Sequence, residues 1–167
     1  MKPLEINRYP NYILRKKSAL VEKITEDDRR LFNEMLFTIH HFGGMGLAGP
    51  EIGLDKSLIV VDIKGNVLKM ANPEILDKRG FVQFQESCLS LPGLNVKIGR
   101  ADKIVVRGLN EKGKIVEFRA EGLLSRVLQH EIDHLKGRLI IDYLGLLGRV
   151  RLFKTKFIKP ELGRICL

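Results

Sequence analysis

Residues 122–137, GLLSRVLQHEIDHLKG, are the stretch that decides how the chain folds. The apolar residues of this stretch recur at helical spacing and form one broad face: Leu123, Leu124, Val127, Leu128 and Leu135. Gly137 follows them, where a left-handed glycine ends many helices. The sequence therefore predicts a helix from about Gly122 to Lys136, with its apolar face in the core.

The same helix carries two histidines one turn apart. His130 and His134 face one side of the helix, so both imidazoles can reach one cation at about 2.0–2.1 Å. Glu131 projects beside them, where it can accept a proton from an attacking water molecule. An ordinary amphipathic helix gives the same pattern, but a charged cluster beside a buried face is costly unless its groups are paired or bind metal. The pattern therefore favours a metal site.

Two histidines leave such a site one ligand short, because catalytic metals usually have three protein ligands and water. No histidine follows His134, and the downstream carboxylates Asp142 and Glu161 lie in no clear motif. An HExxH endoprotease would need one of these as its third ligand. The upstream alternative is the thiol of Cys88, although a lone cysteine is more often a small buried apolar residue.

Residues before this helix contain a second helical pattern, which starts at Thr25–Asp28 and ends at Gly43-Gly44. The segment that precedes it is mostly irregular. Short segments rich in Val, Ile or Phe predict strands between the helices: Leu58–Ile63, Leu68–Ala71, Phe81–Gln85, Ile104–Arg107 and Ile115–Phe118. A third helix is predicted from Leu146 to Lys159. The expected fold is a small α+β domain with mainly antiparallel sheets packed around the central metal-binding HExxH helix.

The composition limits the classes of protein to which the chain can belong. The 167 residues predict one domain over 1–167, with 44% hydrophobic and 29% charged residues. No apolar run is long enough to span a membrane, and the first residues lack the pattern of a signal peptide, so we expect a cytoplasmic protein. The net charge of +9 favours encounter with polyanions, but no nucleic-acid motif accompanies it.

Three motifs, in order and with matching spacing, resemble those of the peptide deformylase family. Residues 129–135, QHEIDHL, match the family's Q-H-E-x-D-H-L in full. Residues 86–90, ESCLS, resemble E-G-C-L-S, and residues 44–51, GMGLAGPE, resemble G-x-G-L-A-A-P-Q. The likeness covers most of residues 6–143.

The resemblance implies a hydrolase that removes the formyl group from N-formylmethionyl nascent peptides and releases formate. It implies one divalent cation on Cys88, His130 and His134, with Fe²⁺ in the cell and Zn²⁺, Ni²⁺ or Co²⁺ able to replace it in purified protein. Glu131 would be the general acid and base, while the Leu89 N–H and the side chain at position 51 would stabilise the oxyanion.

The resemblance also predicts where the peptide binds. The Gly46 backbone would pair with the substrate, and Glu86 and Ser87 lie in the motif beside it. A pocket for the methionine side chain would be lined by Met45, Phe84, Leu123 and Val127, for which ordinary core packing is an equal explanation.

Three positions depart from the family pattern. Gly49 replaces an alanine, which we expect to be a small packing change, and Ser87 replaces a glycine, which would be unfavourable if φ were positive there. Glu51 replaces a glutamine, so the oxyanion loses an N–H donor unless a raised pKa keeps Glu51 protonated. Losing such a donor costs about 10²–10³ in kcat. The alternative is therefore a deformylase-like protein with reduced or altered amidase activity, or a metal-binding non-enzyme.

The C-terminal segment, residues 146–167, is strongly basic. Its cations are Arg149, Arg151, Lys154, Lys156, Lys159 and Arg164. They form either the outer face of a packing helix or, as the resemblance suggests, a contact with the ribosome. We expect a monomer.

Overall fold

The computed structural model describes residues 2–145, so the predicted third helix and the basic segment lie outside the described residues. The histidine-bearing helix, α2, spans Gly122–Leu135 as predicted. Gly137 adopts the left-handed conformation just after it, with φ of 69°, and its N–H donates to the carbonyl oxygen of His134. The helix that carries the metal motif therefore has a defined end.

The first helix, α1, spans Glu26–Phe42 and is capped at both ends. The Thr25 hydroxyl accepts the Asp28 N–H while the Asp28 carboxylate accepts the Thr25 N–H, which satisfies two otherwise unpaired donors. Gly43 closes the helix with φ of 66°. Both predicted boundaries are confirmed.

Five strands form one antiparallel sheet in the order β1-β2-β3-β6-β7. Their bounds are Gly46–Ala48, Leu58–Ile63, Asn66–Arg79, Lys103–Asn110 and Ile115–Glu121. A separate antiparallel pair joins β4, Val82–Glu86, to β5, Val96–Arg100. The predicted strands are confirmed, and β3 extends well beyond its predicted part because register shifts let one bent strand continue along β6.

Two strands are absent from the sequence prediction. Three residues of β1 are too few to show a period, and the strand forms because it pairs with β2. In β5 the burial alternates, so its pattern carried a strand signal that the prediction missed.

The sheet is packed between the two helices, and β2 is buried on both faces. Ile59 and Val61 lie in the core with the apolar face of α2, whereas Leu58 and Val60 lie in the core with α1. This explains why β2 reads as a continuous apolar run. Burying one such side chain contributes about 1.5–3 kcal/mol. Among residues 2–145, no helix is long and apolar enough to cross a membrane.

A third core cluster joins the hairpin β4–β5 to the segment that follows α2. It contains Val96 and Ile98 from β5, Leu139–Ile141 after α2, and Cys88. This packing brings the loop after β4 against the histidine-bearing helix.

Candidate active site

The thiol of Cys88 and the two imidazoles of α2 converge, as the resemblance predicts. Sγ of Cys88 lies 3.2 Å from Nε2 of His134, and one ligand atom each from Cys88, His130 and His134 lie within 4.8 Å of one another. The cluster is mostly buried, and α2 and the loop after β4 position it. These three side chains are close enough to share one cation.

The chemistry of the three donors fits a metal ion. Burial lowers the pKa of His134 to about 4, so its imidazole is neutral and can act as a ligand. Burial and the neighbouring Glu51 carboxylate raise the pKa of the Cys88 thiol, so a cation would supply the charge that stabilises the thiolate. One thiolate and two imidazoles form a donor set typical of divalent transition metals.

Glu86 lines the cavity, but its carboxylate is held beneath His130. Its Oε2 lies 3.0 Å from His130 Nδ1, which leaves Nε2 of that ring for a ligand. Such a carboxylate orients a metal-binding imidazole. The arrangement gives the predicted substrate residue a different task, because its oxygens are occupied by His130 and Arg100.

Arg100 compensates the charge of Glu86 and was missed by the sequence analysis. It donates twice to Glu86 at 2.8 Å, once to Asp133 at 2.5 Å and once to the Tyr143 hydroxyl at 3.0 Å. Burial opposes ionisation of Glu86, but hydrogen bonds from Arg100 and His130 outweigh it and lower its pKa to about 2. Burial and the hydrogen bond to Asp133 raise the pKa of Tyr143 to about 12.

Glu131 is buried next to Gly46 and Glu51. Any side chain at position 46 would overlap the Glu131 carboxyl, which explains the glycine there. Burial and the charge of Glu51 raise the pKa of Glu131 well above its usual range. Its Oε2 is buried and has no hydrogen-bond partner among the described residues, so this oxygen can bind a water molecule or a substrate proton.

Glu51, only 2% exposed, accepts hydrogen bonds from three groups. Its Oε2 accepts the Ala48 N–H at 3.1 Å, and its Oε1 accepts the Ser90 hydroxyl at 3.0 Å and the Cys88 thiol at 3.4 Å. Burial alone would raise the pKa of Glu51, but His134, His130 and the Ala48 N–H outweigh it and keep the pKa below its ordinary value. The surroundings of Glu51 therefore do not produce the raised pKa that it would need to donate a proton to an oxyanion.

The other two departures have simple structural reasons. The backbone at Ser87 is outside the left-handed region, so serine is tolerated there without strain. Gly49 is more than the small packing change that we expected, because a methyl group at this position would collide with the carbonyl oxygen of Lys56.

A cavity of about 970 Å³ leads to this cluster. It is lined by several residues predicted for the peptide, namely Met45, Gly46, Glu86, Ser87, Leu89, Leu123 and Val127. Phe84 does not line it, because the Phe84 ring lies beneath Arg126, 3.4 Å from the guanidinium carbon. Asn7 and Arg8 also line the cavity, and no sequence motif singled them out.

Comparisons with known proteins show the family to which the chain belongs. The family model described as Polypeptide deformylase matches residues 3–149. A peptide deformylase of Thermodesulfovibrio yellowstonii is 43% identical over 159 residues, covering 92% of this chain and 96% of the relative. One of Hydrogenovibrio crunogenus is 42% identical over 154 residues, covering 90% and 91%.

Solved structures give the same result. A peptide deformylase from Legionella pneumophila superposes with a TM-score of 0.85 at 37% identity, covering 95% of this chain and 100% of the other. One from Synechococcus elongatus in complex with actinonin has a TM-score of 0.87 at 33% identity, covering 95% and 88%. These neighbours confirm the α+β fold. The chain therefore belongs to the polypeptide deformylase family of metallohydrolases.

Proposed function

We propose that this chain hydrolyses the formyl amide of N-formylmethionyl peptides and releases formate, with Cys88, His130 and His134 holding one divalent cation. The observation that carries the proposal is the convergence of these three ligand atoms beside the buried Glu131. Relatives more than 40% identical over most of the chain favour this activity over the alternative of an altered amidase or a non-enzyme.

One thiolate and two imidazoles suit Fe²⁺, Zn²⁺, Ni²⁺ and Co²⁺. We propose Fe²⁺ as the cation in the cell and the other three as ions that purified protein accepts. When bound, such a cation lowers the pKa of water and polarises the carbonyl oxygen of an amide.

Glu131 moves the proton. Its raised pKa makes it a stronger base than an ordinary carboxylate, and its Oε2 is available to the attacking water. Glu131 first takes a proton from that water and then delivers it to the amine that leaves as the C–N bond breaks. Gly46 leaves the space that the Glu131 carboxyl occupies.

The tetrahedral oxyanion needs oriented donors. We assign one of them to the backbone N–H of Leu89, a residue that lines the cavity. Glu51 occupies the place of the second donor, but its surroundings favour the ionised form, which offers no proton. We therefore infer that this chain stabilises the oxyanion less well than it would with glutamine at position 51.

The peptide binds along the outer edge of β1. Among residues 2–145, β1 is an outer strand of the sheet that pairs with β2, and Gly46 lines the cavity. An added peptide strand would hydrogen-bond to the Gly46 backbone. We assign the methionine side chain to the pocket formed by Met45, Leu123 and Val127, while the position of Phe84 beneath Arg126 favours a supporting task for its ring.

The setting of the reaction follows from its substrate. We propose that the protein acts as a cytoplasmic monomer on peptides that emerge from the ribosome, and that the cations of residues 146–167 contact the ribosome. Deleting residues 149–167 should then abolish salt-sensitive co-sedimentation with ribosomes. Co-sedimentation that survives the deletion would contradict this role.

The test of the activity is formate release from a short N-formylmethionyl peptide by protein loaded anaerobically with Fe²⁺ or Ni²⁺. We expect Glu131→Gln to lower kcat by about 10²–10⁴. The control is Glu117→Gln, which changes an exposed carboxylate on β7. No turnover by folded, fully metallated wild-type protein would contradict the proposed function.

A further inference from the structure

The carboxylate of Glu51 lies close to two of the three proposed metal ligands, Cys88 and His134. Its Oε1 lies 3.4 Å from Sγ of Cys88 and 3.5 Å from Nε2 of His134, and those two atoms are 3.2 Å apart. With metal–ligand distances of about 2.0–2.3 Å, the edges of a tetrahedral site measure about 3.3–3.8 Å. The three atoms therefore form a triangle close in size to one face of such a site.

The other contacts of Glu51 hold its carboxylate in that place. Oε2 accepts the Ala48 N–H, and Oε1 accepts the hydroxyl of Ser90, which is itself 1% exposed. Carboxylates that bind metals are commonly oriented by such hydrogen bonds. The third contact, from the Cys88 thiol, would be lost when that sulfur becomes a thiolate, and a shared cation would replace the bridging proton.

Among residues 2–145, no lysine or arginine forms an ion pair with the buried carboxylate of Glu51. Its hydrogen-bond donors are the Ala48 amide, the Ser90 hydroxyl and the Cys88 thiol, which are uncharged. A buried carboxylate is costly unless it is paired or coordinates a metal. A divalent ion at this site would supply that compensation.

We propose that Glu51 is a fourth protein ligand of the cation in the substrate-free enzyme, completing the set of Cys88, His130 and His134. This inference rests on the proposed metal site. It gives the change from glutamine a chemical meaning, since an anionic oxygen binds a divalent cation more strongly than an amide does. Four protein ligands close a site to water, so the carboxylate has to move aside before hydrolysis.

The test compares Co²⁺-loaded and Zn²⁺-loaded wild-type protein with Glu51→Gln. We expect the visible d–d absorption of the Co²⁺ protein to change, and the Zn²⁺ dissociation constant, measured by competition with a chromophoric chelator, to rise at least about 10-fold. The matched control is Glu5→Gln, which removes the charge of an exposed carboxylate lining the same cavity. It should alter neither readout.

The Co²⁺ spectrum decides the outcome. An unchanged spectrum in Glu51→Gln overturns the proposal even if affinity falls, because Glu51 would then act through its charge alone. If that variant does not fold by circular dichroism, Glu51→Asp serves instead, since the shorter side chain withdraws the oxygen and the same spectral change is expected. Wild-type protein that fails to bind Co²⁺ stoichiometrically would contradict the metal site of the proposed function as well, whereas a spectral failure alone contradicts only the role of Glu51.

Discussion

Two of the carboxylates beside the three ligands, Glu51 and Glu86, are compensated in different ways. Glu86 receives two hydrogen bonds from Arg100 and one contact from His130, so its charge is matched by a permanent cation. Among residues 2–145, Glu51 accepts hydrogen bonds from the Ala48 N–H, the Ser90 hydroxyl and the Cys88 thiol, and none of these donors belongs to a lysine or arginine. The Glu86 side is therefore complete without a metal ion, whereas the Glu51 side gains most from one.

The largest expected effect on stability comes from removing Arg100, the cation that compensates Glu86. Arg100→Met leaves both Glu86 and Asp133 without their buried partner, so we expect the free energy of unfolding to fall by about 3–5 kcal/mol. Urea unfolding of the metal-free proteins measures the change. Arg107→Met is the control, because its pair with Glu74 is exposed and should contribute at most about 1 kcal/mol. Equal losses of unfolding free energy in both variants would contradict the expected difference between the buried and the exposed ion pair.

Changing Glu51 should alter kcat. Glu51→Gln restores an N–H donor for the oxyanion and removes a negative charge from the site, so we expect kcat to rise by about 10²–10³. Formate release at saturating peptide, with equal metal content, measures it. A kcat that does not rise would contradict the donor argument and leave Glu51 without a cost to catalysis.

Asp28 is a buried carboxylate outside the site, and its charge is compensated as that of Glu86 is. Burial raises the pKa of Asp28, but hydrogen bonds from Lys56 and Thr25 outweigh it and lower the pKa below 3.8. Its contribution to stability is therefore present above the unfolded value and lost as the pH falls through the folded one. We expect Asp28→Asn to cost about 1–2 kcal/mol at pH 7, with the difference shrinking below about pH 4.

Denaturant unfolding at pH 7 and pH 3 tests this prediction. Asp27→Asn is the control, because Asp27 lies in the same first turn of α1 but is exposed and pairs with Arg30 on the same helix. A destabilisation by Asp28→Asn that stays constant with pH would show that the capping geometry, rather than the charge, carries the effect.

Local sequence patterns predicted the helix ends and the site residues that lie close together in the sequence. His130, Glu131 and His134 lie on one helix, and the ends of both helices follow from Thr25, Gly43 and Gly137. The metal triad required the resemblance, because Cys88 reaches the histidines only through the packing of the hairpin β4–β5.

The compensation of the two carboxylates was beyond sequence reasoning. Glu86 meets Arg100 across the β4–β5 pair, and Asp133 meets Tyr143 across the turn after α2, so these contacts depend on tertiary structure. The sequence showed that Glu51 departs from the family, but Ser90 is 39 residues away and no pattern links the two.

Two backbone hydrogen bonds near the start of the chain have a practical meaning. The Asn7 N–H donates to the carbonyl oxygen of Glu51 at 2.7 Å, and the Tyr9 N–H donates to that of Ser90 at 3.0 Å. Both the carboxylate beside the ligands and the hydroxyl that orients it are thus tied to residues 7–9. Proteolytic cleavage or truncation in this segment would therefore disturb the catalytic centre. The integrity of this segment in purified protein should be checked before low activity is attributed to its metal content.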